Sequence, residues 1–223
     1  MKKLKNVFYL AAIVASAVVV GCEKDVDDVK AVNSSLDDVI KIPSTSIDVD
    51  AVEVAVYYVE DNKTKTYVLA EAKSENGEFT IRLPASVPAQ YLSPISKYFS
   101  RRPEVEVNDV NANWTYGGGF YIFACKDKGT VGDFWYGNGE NYAFFCYVDR
   151  DVNVTGVDGE FYWSLFLKKG WNKCYMKSTT IVDLAIGGKQ YDLEFYTTST
   201  EPSGLTWNYK HYVAVDDAIT IKH

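Results

Sequence analysis

The chain has few of the side chains on which most enzyme and metal sites depend. Its 223 residues include two histidines, His211 and the C-terminal His223. No cluster of His, Cys and carboxylate residues has zinc-site spacing, and G-x-S-x-G, P-loop and G-x-G-x-x-G motifs are absent. We therefore predict no cofactor and no catalytic function. A glycoside hydrolase is the less favoured alternative, because its paired carboxylates meet only in the fold.

Basic charge is also scarce. The sequence contains 23 Lys and Arg against 30 Asp and Glu, which gives a formal net charge of −7. Nucleic-acid binding requires a basic face, and attraction to anionic lipid headgroups requires clustered Lys and Arg. The composition therefore excludes nucleic acid as a partner, and any membrane attachment must depend on something other than charge.

The chain begins with a basic and then apolar leader. Three lysines fall within the first five residues, the stretch 7–20 is apolar, and Gly21-Cys22 follows. This order is that of a secretory signal, and the apolar stretch is shorter than the roughly 20 residues of a transmembrane helix. The ending Val-Val-Gly-Cys resembles the bacterial lipobox, which implies a lipoprotein signal peptide at 1–21 and a lipidated Cys22. Two or more acyl chains anchor a protein stably.

Acidic residues follow that cysteine. Residues 23–28 read Glu-Lys-Asp-Val-Asp-Asp and show no packing period, which predicts a flexible acidic tether over 22–45. Acids directly after a lipidated cysteine also resemble the surface-export signal of Bacteroidetes lipoproteins. We therefore predict an outer membrane lipoprotein exposed at the cell surface, with the periplasmic face as the alternative location.

The rest of the chain has the composition of a sheet protein. It is rich in aromatics, with 17 Tyr, 11 Phe and 5 Trp in the whole sequence against 2 Met. Short alternating apolar runs are separated by turn residues, among them the hairpin signal Asn76-Gly77. This pattern predicts an all-β domain at 46–223, an antiparallel β-sandwich or alternatively an open or closed β-barrel. The stretch 85–104 breaks the pattern, contains a short helical turn after Ser93, and is where the domain would divide.

Three cysteines remain after Cys22. An odd number leaves at least one thiol free in an exported protein. Successive turns predict a meander of strands at 120–125, 130–136 and 142–148. In it Cys125 faces Thr130 and Cys146 faces Val131, so the two cysteines are separated by about 9.6 Å. A disulfide reaches only about 7 Å between Cα atoms. We predict no 125–146 bridge, and whether Cys174 pairs with Cys125 or Cys146 stays open.

Three passages occur in a fixed order after the leader. They are 79–84 (FTIRLP) running on to 91–95 (YLSPI), then 167–172 (LKKGWN), then 202–207 (PSGLTW). Together they resemble a group of small exported lipoproteins of gut-type Bacteroidetes. The resemblance implies an outer-membrane lipoprotein with a β-rich ectodomain, and it brings no activity and no catalytic residues.

One acidic turn has the oxygen-rich spacing of a metal site. Asp149, Asp151 and Asn153 are spaced like the beginning of an EF-hand calcium loop. The glycine that such a loop requires at its sixth position is replaced by Val154. We expect a charged turn, with a calcium site of another geometry, including Asp158, as the alternative.

Aromatic residues at predicted strand ends form the candidate binding surface. They are Trp114, Tyr116, Trp135, Tyr136 and Tyr142. Flat rings stack on the apolar C–H faces of sugars, and loop edges often carry function. We therefore predict a non-enzymatic domain that binds an extracellular ligand, a glycan or a protein, and we place Trp163 and Trp171 in the core.

A structural role is the second prediction for function. Exported β-domains assemble by exchanging strands with their neighbours, as a fimbria-like accessory subunit would. The segments 45–58 and 218–223 are the candidates for an exchanged strand.

Overall fold

The computed structural model describes residues 39–212, apart from 45–46, 61–62, 116–120, 128 and 184–188. These residues form fifteen strands, the helix α1 (Ile95–Phe99) and a 3-10 turn (Ala89–Tyr91). The strands are β1 (Val39–Pro43), β2 (Ala51–Glu60), β3 (Lys63–Glu75), β4 (Glu78–Arg82), β5 (Leu92–Pro94), β6 (Val105–Val107), β7 (Asn113–Thr115), β8 (Tyr121–Lys126), β9 (Gly129–Gly137), β10 (Asn141–Val148), β11 (Val152–Asp158), β12 (Phe161–Leu167), β13 (Gly170–Asp183), β14 (Lys189–Tyr196) and β15 (Thr206–His211). The all-β prediction is confirmed. The leader, Cys22, most of the tether and the segment 218–223 lie outside the described residues.

The strands belong to one large mixed sheet. Its main path runs β1-β4-β3-β2-β8-β9-β10-β13-β14-β12-β11-β6, and β15, β7 and β5 join it at β9 and β10. In the described part of the chain the two ends of this path, β1 and β6, do not pair, so the sheet is not closed and the closed alternative is wrong.

One pair of strands departs from the predicted antiparallel arrangement. β12 and β14 run parallel, with Phe161 opposite Leu193. A short turn joins β12 to β13, and these two strands run in opposite directions. In the sheet, β14 lies between them. Because β14 is antiparallel to β13, it must be parallel to β12.

Several local predictions are confirmed. Asn76 and Gly77 both have positive φ, 53° and 80°, as a two-residue hairpin turn requires. The helical turn expected after Ser93 is α1. Within the predicted exchange segment 45–58, β2 pairs with β3 along its length and with β8 at Ala51–Ala55; its exchange between chains stays a prediction. In the described residues no helix has the length and hydropathy that a bilayer-spanning helix needs.

Two apolar cores lie on opposite faces of β10. Phe145 and Tyr147 contribute to the first core, which is formed mainly by β1, β2, β4, β8 and β9. Cys146 and Val148 contribute to the second, which includes α1 and parts of β7, β11 and β12. Side chains alternate between faces along a strand, so one strand can serve both cores and is apolar from Tyr142 to Val148.

The tryptophans predicted to be core residues are buried. Trp163 is 7% exposed in the second core, and Trp171 is 4% exposed in the first. The Trp171 indole N–H donates to the Pro84 carbonyl oxygen at 2.7 Å. Both residues therefore stabilise the fold.

The predicted meander is wrong beyond its first hairpin. Cys125 does lie opposite Thr130, but Cys146 lies opposite Asn172 on β13 and not opposite Val131. β8 occupies one edge of β9 up to Phe134, so β10 pairs with that edge only at the two residues beyond. β10 then pairs along its length with β13.

All three described cysteines are buried free thiols. Cys146 Sγ lies 3.9 Å from Cys174 Sγ. Burial raises the pKa of Cys174, and burial with nearby acids raises that of Cys125 to about 11. Cys125 and Cys174 therefore form few thiolates at neutral pH, and Cys146 is fully buried beside Cys174, so we expect all three to behave as small apolar core residues.

Candidate functional site

The last described strand, β15, pairs with the edge of β9 opposite to the one that β8 and β10 share. β15 pairs antiparallel with β9, with Trp207 opposite Tyr136 and Tyr209 opposite Phe134. Paired residues of neighbouring strands project to the same face, so these four rings gather on one side of the sheet. The ring centroids of Tyr136 and Trp207 are 5.0 Å apart, and those of Phe134 and Tyr209 are 5.2 Å apart.

These rings line a groove of about 420 Å³, which we call the Trp207 groove. Its lining residues are Pro43, Ile47, Phe134, Tyr136 and the five consecutive residues 205–209. Its volume falls within the range of small-molecule sites, roughly 300–1,000 Å³. Trp207 and Tyr209 are half-buried, so part of each ring packs on the first core and part faces solvent.

Polar groups border the rings of the groove. The Tyr209 hydroxyl is 3.0 Å from His211 Nδ1, and the Tyr136 hydroxyl donates to Glu201 Oε1 at 2.7 Å. Burial and this carboxylate raise the pKa of Tyr136 to about 12, so the hydroxyl keeps its proton at neutral pH. The result is an apolar surface of rings, tilted by 38–39° within each pair, with hydrogen-bonding groups on two of its members.

Glu201 belongs to the segment 197–205, which joins β14 to β15 and which we call the strap. Its carboxylate accepts from Tyr136, from Lys173 Nζ and from the Tyr175 hydroxyl at 3.4 Å. Burial alone would raise the pKa of Glu201, but the bonds from Lys173, Tyr136 and Tyr175 outweigh it and hold that pKa below its usual range. Asn138 Nδ2 also donates to the Ser203 carbonyl oxygen at 3.0 Å. Side chains of the sheet thus fix the strap beside the groove.

Trp114 is not part of any binding surface, and its prediction as a ligand-binding residue is wrong. It lies on β7 and is 1% exposed. The Tyr98 and Phe99 rings of α1 pack against it, with centroids at 5.3 and 5.8 Å. Tyr116 lies outside the described residues.

The other three predicted aromatics divide between the two faces of the sheet. Tyr136 lies in the Trp207 groove, whereas Trp135, its neighbour along β9, points to the opposite face and is 36% exposed. Tyr142 packs over Gly137, where a Cβ atom would lie 2.8 Å from Tyr142 Cδ1. The predicted cluster therefore does not exist as one surface.

Sequence reasoning missed Trp207 and Tyr209. A signal was present, since the run Thr206–His211 places Trp, Tyr and His at alternate positions and hence on one face of a strand. The neighbour of that strand was not evident, because β9 lies about 70 residues earlier in the chain.

The acidic turn near Asp149 is held by protein groups. Asp149 accepts from the Asn113 backbone N–H at 2.9 Å and from Asn113 Nδ2 at 2.8 Å, while Asp151 accepts from the Lys169 N–H at 2.8 Å. The Asn153 backbone N–H donates to Asn108. Within the described residues no group of three or more His, Cys, Asp or Glu side chains is placed to hold a metal ion. The carboxylates tie β7 and the 168–169 turn to this loop.

Asp149→Asn is expected to lower the free energy of unfolding by about 2 kcal/mol at neutral pH. Burial would raise the pKa of Asp149, but hydrogen bonds from Asn113 and Arg150 outweigh it and lower that pKa. An aspartate whose pKa is lower in the folded state stabilises the fold at pH values above its unfolded-state pKa of about 3.9. This stabilisation is lost as the pH falls through the folded-state pKa. Urea unfolding of both proteins across this range should show the difference shrinking below about pH 4; a difference independent of pH would refute the ionic role.

No protein-family model, curated protein sequence or solved structure matches this chain. The geometry of the Trp207 groove and its surroundings is therefore the basis for assigning a function.

Proposed function

We propose that this protein is an exported lipoprotein, anchored through lipid on Cys22, whose β-domain binds a glycan in the Trp207 groove. The observation that carries the proposal is the gathering of Tyr136, Trp207 and Tyr209 along one open groove. Aromatic rings provide the flat apolar surface on which the C–H face of a pyranose stacks. Tyr136 and Tyr209 both line the groove, and their hydroxyl oxygens are groups to which sugar hydroxyls can bond.

The negative net charge of the chain favours an uncharged ligand. The chain carries a formal net charge of −7, which repels polyanions at long range. A neutral glycan meets no such barrier, and at a cell surface such polymers are available outside the membrane. The basic, apolar and Gly-Cys leader supports the outer-membrane location, and the acids after Cys22 support display on the outer face.

The packing of the first core supports a sandwich-like arrangement for the domain. Phe79 of β4 packs against Phe134 of β9, with ring centroids 6.2 Å apart. β4 and β9 are four places apart in the sheet order, so the sheet bends until its β1-β4 end lies over β8 and β9. In this arrangement Pro43, the last residue of β1, and Ile47 line the Trp207 groove together with residues of β9 and β15.

Trp207→Ala is expected to weaken glycan binding by about ten- to a hundredfold, the effect of losing about 1.5–3 kcal/mol of aromatic burial. Tyr209→Ala should act in the same direction. The matched control is Trp135→Ala, which removes an exposed tryptophan from the opposite face of the adjacent strand. A glycan array followed by calorimetry on purified wild type and variants measures these effects.

Two outcomes would contradict the proposal. The first is an array without a reproducible hit, and the second is a hit whose affinity is the same in wild type and Trp207→Ala.

Anchoring is tested on intact cells that express the full chain, with a fluorescent form of the glycan found on the array. Cys22→Ser should abolish binding of this glycan to the cells. Unchanged cell labelling would show that lipid on Cys22 is not the anchor.

A further inference from the structure

A charged pair lies next to the groove. Lys173 Nζ and Glu201 Oε2 form an ion pair in which the side chains remain 24% and 40% exposed. The ammonium lies 4.7 Å from the centroid of the Tyr136 ring, which is itself a lining residue of the groove. A donor and an acceptor are therefore held side by side in contact with Tyr136, one of the residues that line the groove.

The pair is fixed from several elements. Lys173 projects from β13, and Glu201 from the strap, while Tyr136 of β9 and Tyr175 of β13 bond to the same carboxylate. The Lys173 ammonium also lies 5.8 Å from the Tyr175 ring. Because sheet side chains hold both charges, their geometry does not depend on a ligand, and little ordering is needed when one binds.

We propose that the Lys173–Glu201 pair is the polar subsite of the Trp207 groove and selects neutral hexopyranoses that present two adjacent hydroxyls. This inference rests on the proposed glycan function. A sugar hydroxyl both donates and accepts, so one hydroxyl accepts from Lys173 while its neighbour donates to Glu201. Adjacent hydroxyls lie about one hydrogen-bond length apart, which matches two groups that are bonded to each other.

The same pair disfavours charged sugars. A uronic acid carboxylate at this position would meet Glu201, and the ammonium of an amino sugar would meet Lys173. Because the two charges of the pair oppose one another, a charged sugar gains little net attraction there and still loses its hydration on binding. A neutral hexose leaves the ion pair intact and avoids both penalties.

Glu201→Gln tests the selectivity directly. Wild type is titrated with hexasaccharides of glucose, mannose or galactose and with hexasaccharides of the matching uronic acids. In Glu201→Gln the Lys173 charge is no longer neutralised, so the ratio of neutral to uronate affinity should fall by about tenfold or more. In Lys173→Met the uncompensated Glu201 should raise that ratio. Lys177→Met, which removes an ion-paired lysine from the same strand, should leave it unchanged.

The outcomes separate this inference from the function on which it rests. Wild type could bind neutral sugars through Trp207 while Glu201→Gln loses the same affinity for both sugar classes. The pair would then only support the strap, and that result overturns the inference but not the glycan function. Preference of wild type for uronates also overturns it. Failure of wild type to bind any of these sugars overturns the glycan function itself.

Discussion

Trp114→Ala is expected to lower the free energy of unfolding by about 3–5 kcal/mol. The indole is 1% exposed and lies in the second core against Tyr98 and Phe99 of α1. Alanine would leave a cavity beside Tyr98 and Phe99 in the second core, and well-packed surroundings collapse only partly into such a space. The result should be a large decrease in the midpoint of urea unfolding.

Trp135→Ala is the matched control for that experiment. Trp135 is 36% exposed on β9, and substitutions at such positions usually change stability by about 0.5 kcal/mol or less. Chemical denaturation followed by far-ultraviolet circular dichroism measures both variants. Equal losses of stability in the two would show that Trp114 is not a core residue.

Gly132→Ala is expected to separate β15 from β9. A Cβ atom at Gly132 would lie 2.2 Å from the Lys210 carbonyl oxygen and 2.7 Å from Tyr209 Cε2. The first contact is with backbone, so it is relieved only if β15 moves. We expect a loss of about 3 kcal/mol from overpacking. Glycan affinity should fall with it, because β15 carries Trp207 and Tyr209.

Gly129→Ala is the control on the same strand. There a Cβ atom would lie 3.5 Å from the nearest atom, the Lys126 carbonyl oxygen, which is ordinary contact. Alanine also restricts the unfolded chain more than glycine does, so stability should change by about 1 kcal/mol or less. Hydrogen exchange of the β15 amides compares the two variants. Protection of 206–211 that survives Gly132→Ala would contradict the packing described for this edge.

The parts of the fold that the sequence predicted are those set by local patterns. Alternation of apolar residues predicts strands, and Asn76-Gly77 predicts its turn because both residues adopt positive φ. Pairing between distant strands follows no local rule. Cys146 was assigned to the wrong neighbour because β10 pairs with β9 at only two residues, whereas β13 pairs with β10 along its whole length.

The same limit applies to the candidate site. Trp114 and Trp135 look alike in sequence, since each adjoins a predicted turn, yet one is in the core and the other exposed. Their burial depends on which strands cover them: β7 places Trp114 beneath α1, whereas Trp135 faces away from the first core. Tyr136 lies in the Trp207 groove, but its partners Trp207 and Tyr209 come from a strand far along the chain, so this grouping could not be predicted from the sequence.

The most direct test of the glycan proposal is one calorimetric titration of three proteins with the glycan selected on the array. Wild type and Trp135→Ala should bind it with affinities that agree within about threefold, and Trp207→Ala should bind at least about tenfold more weakly while unfolding as cooperatively as wild type. Equal affinity in wild type and Trp207→Ala, or loss of binding in Trp135→Ala alone, would place the ligand elsewhere and contradict the assignment of the Trp207 groove.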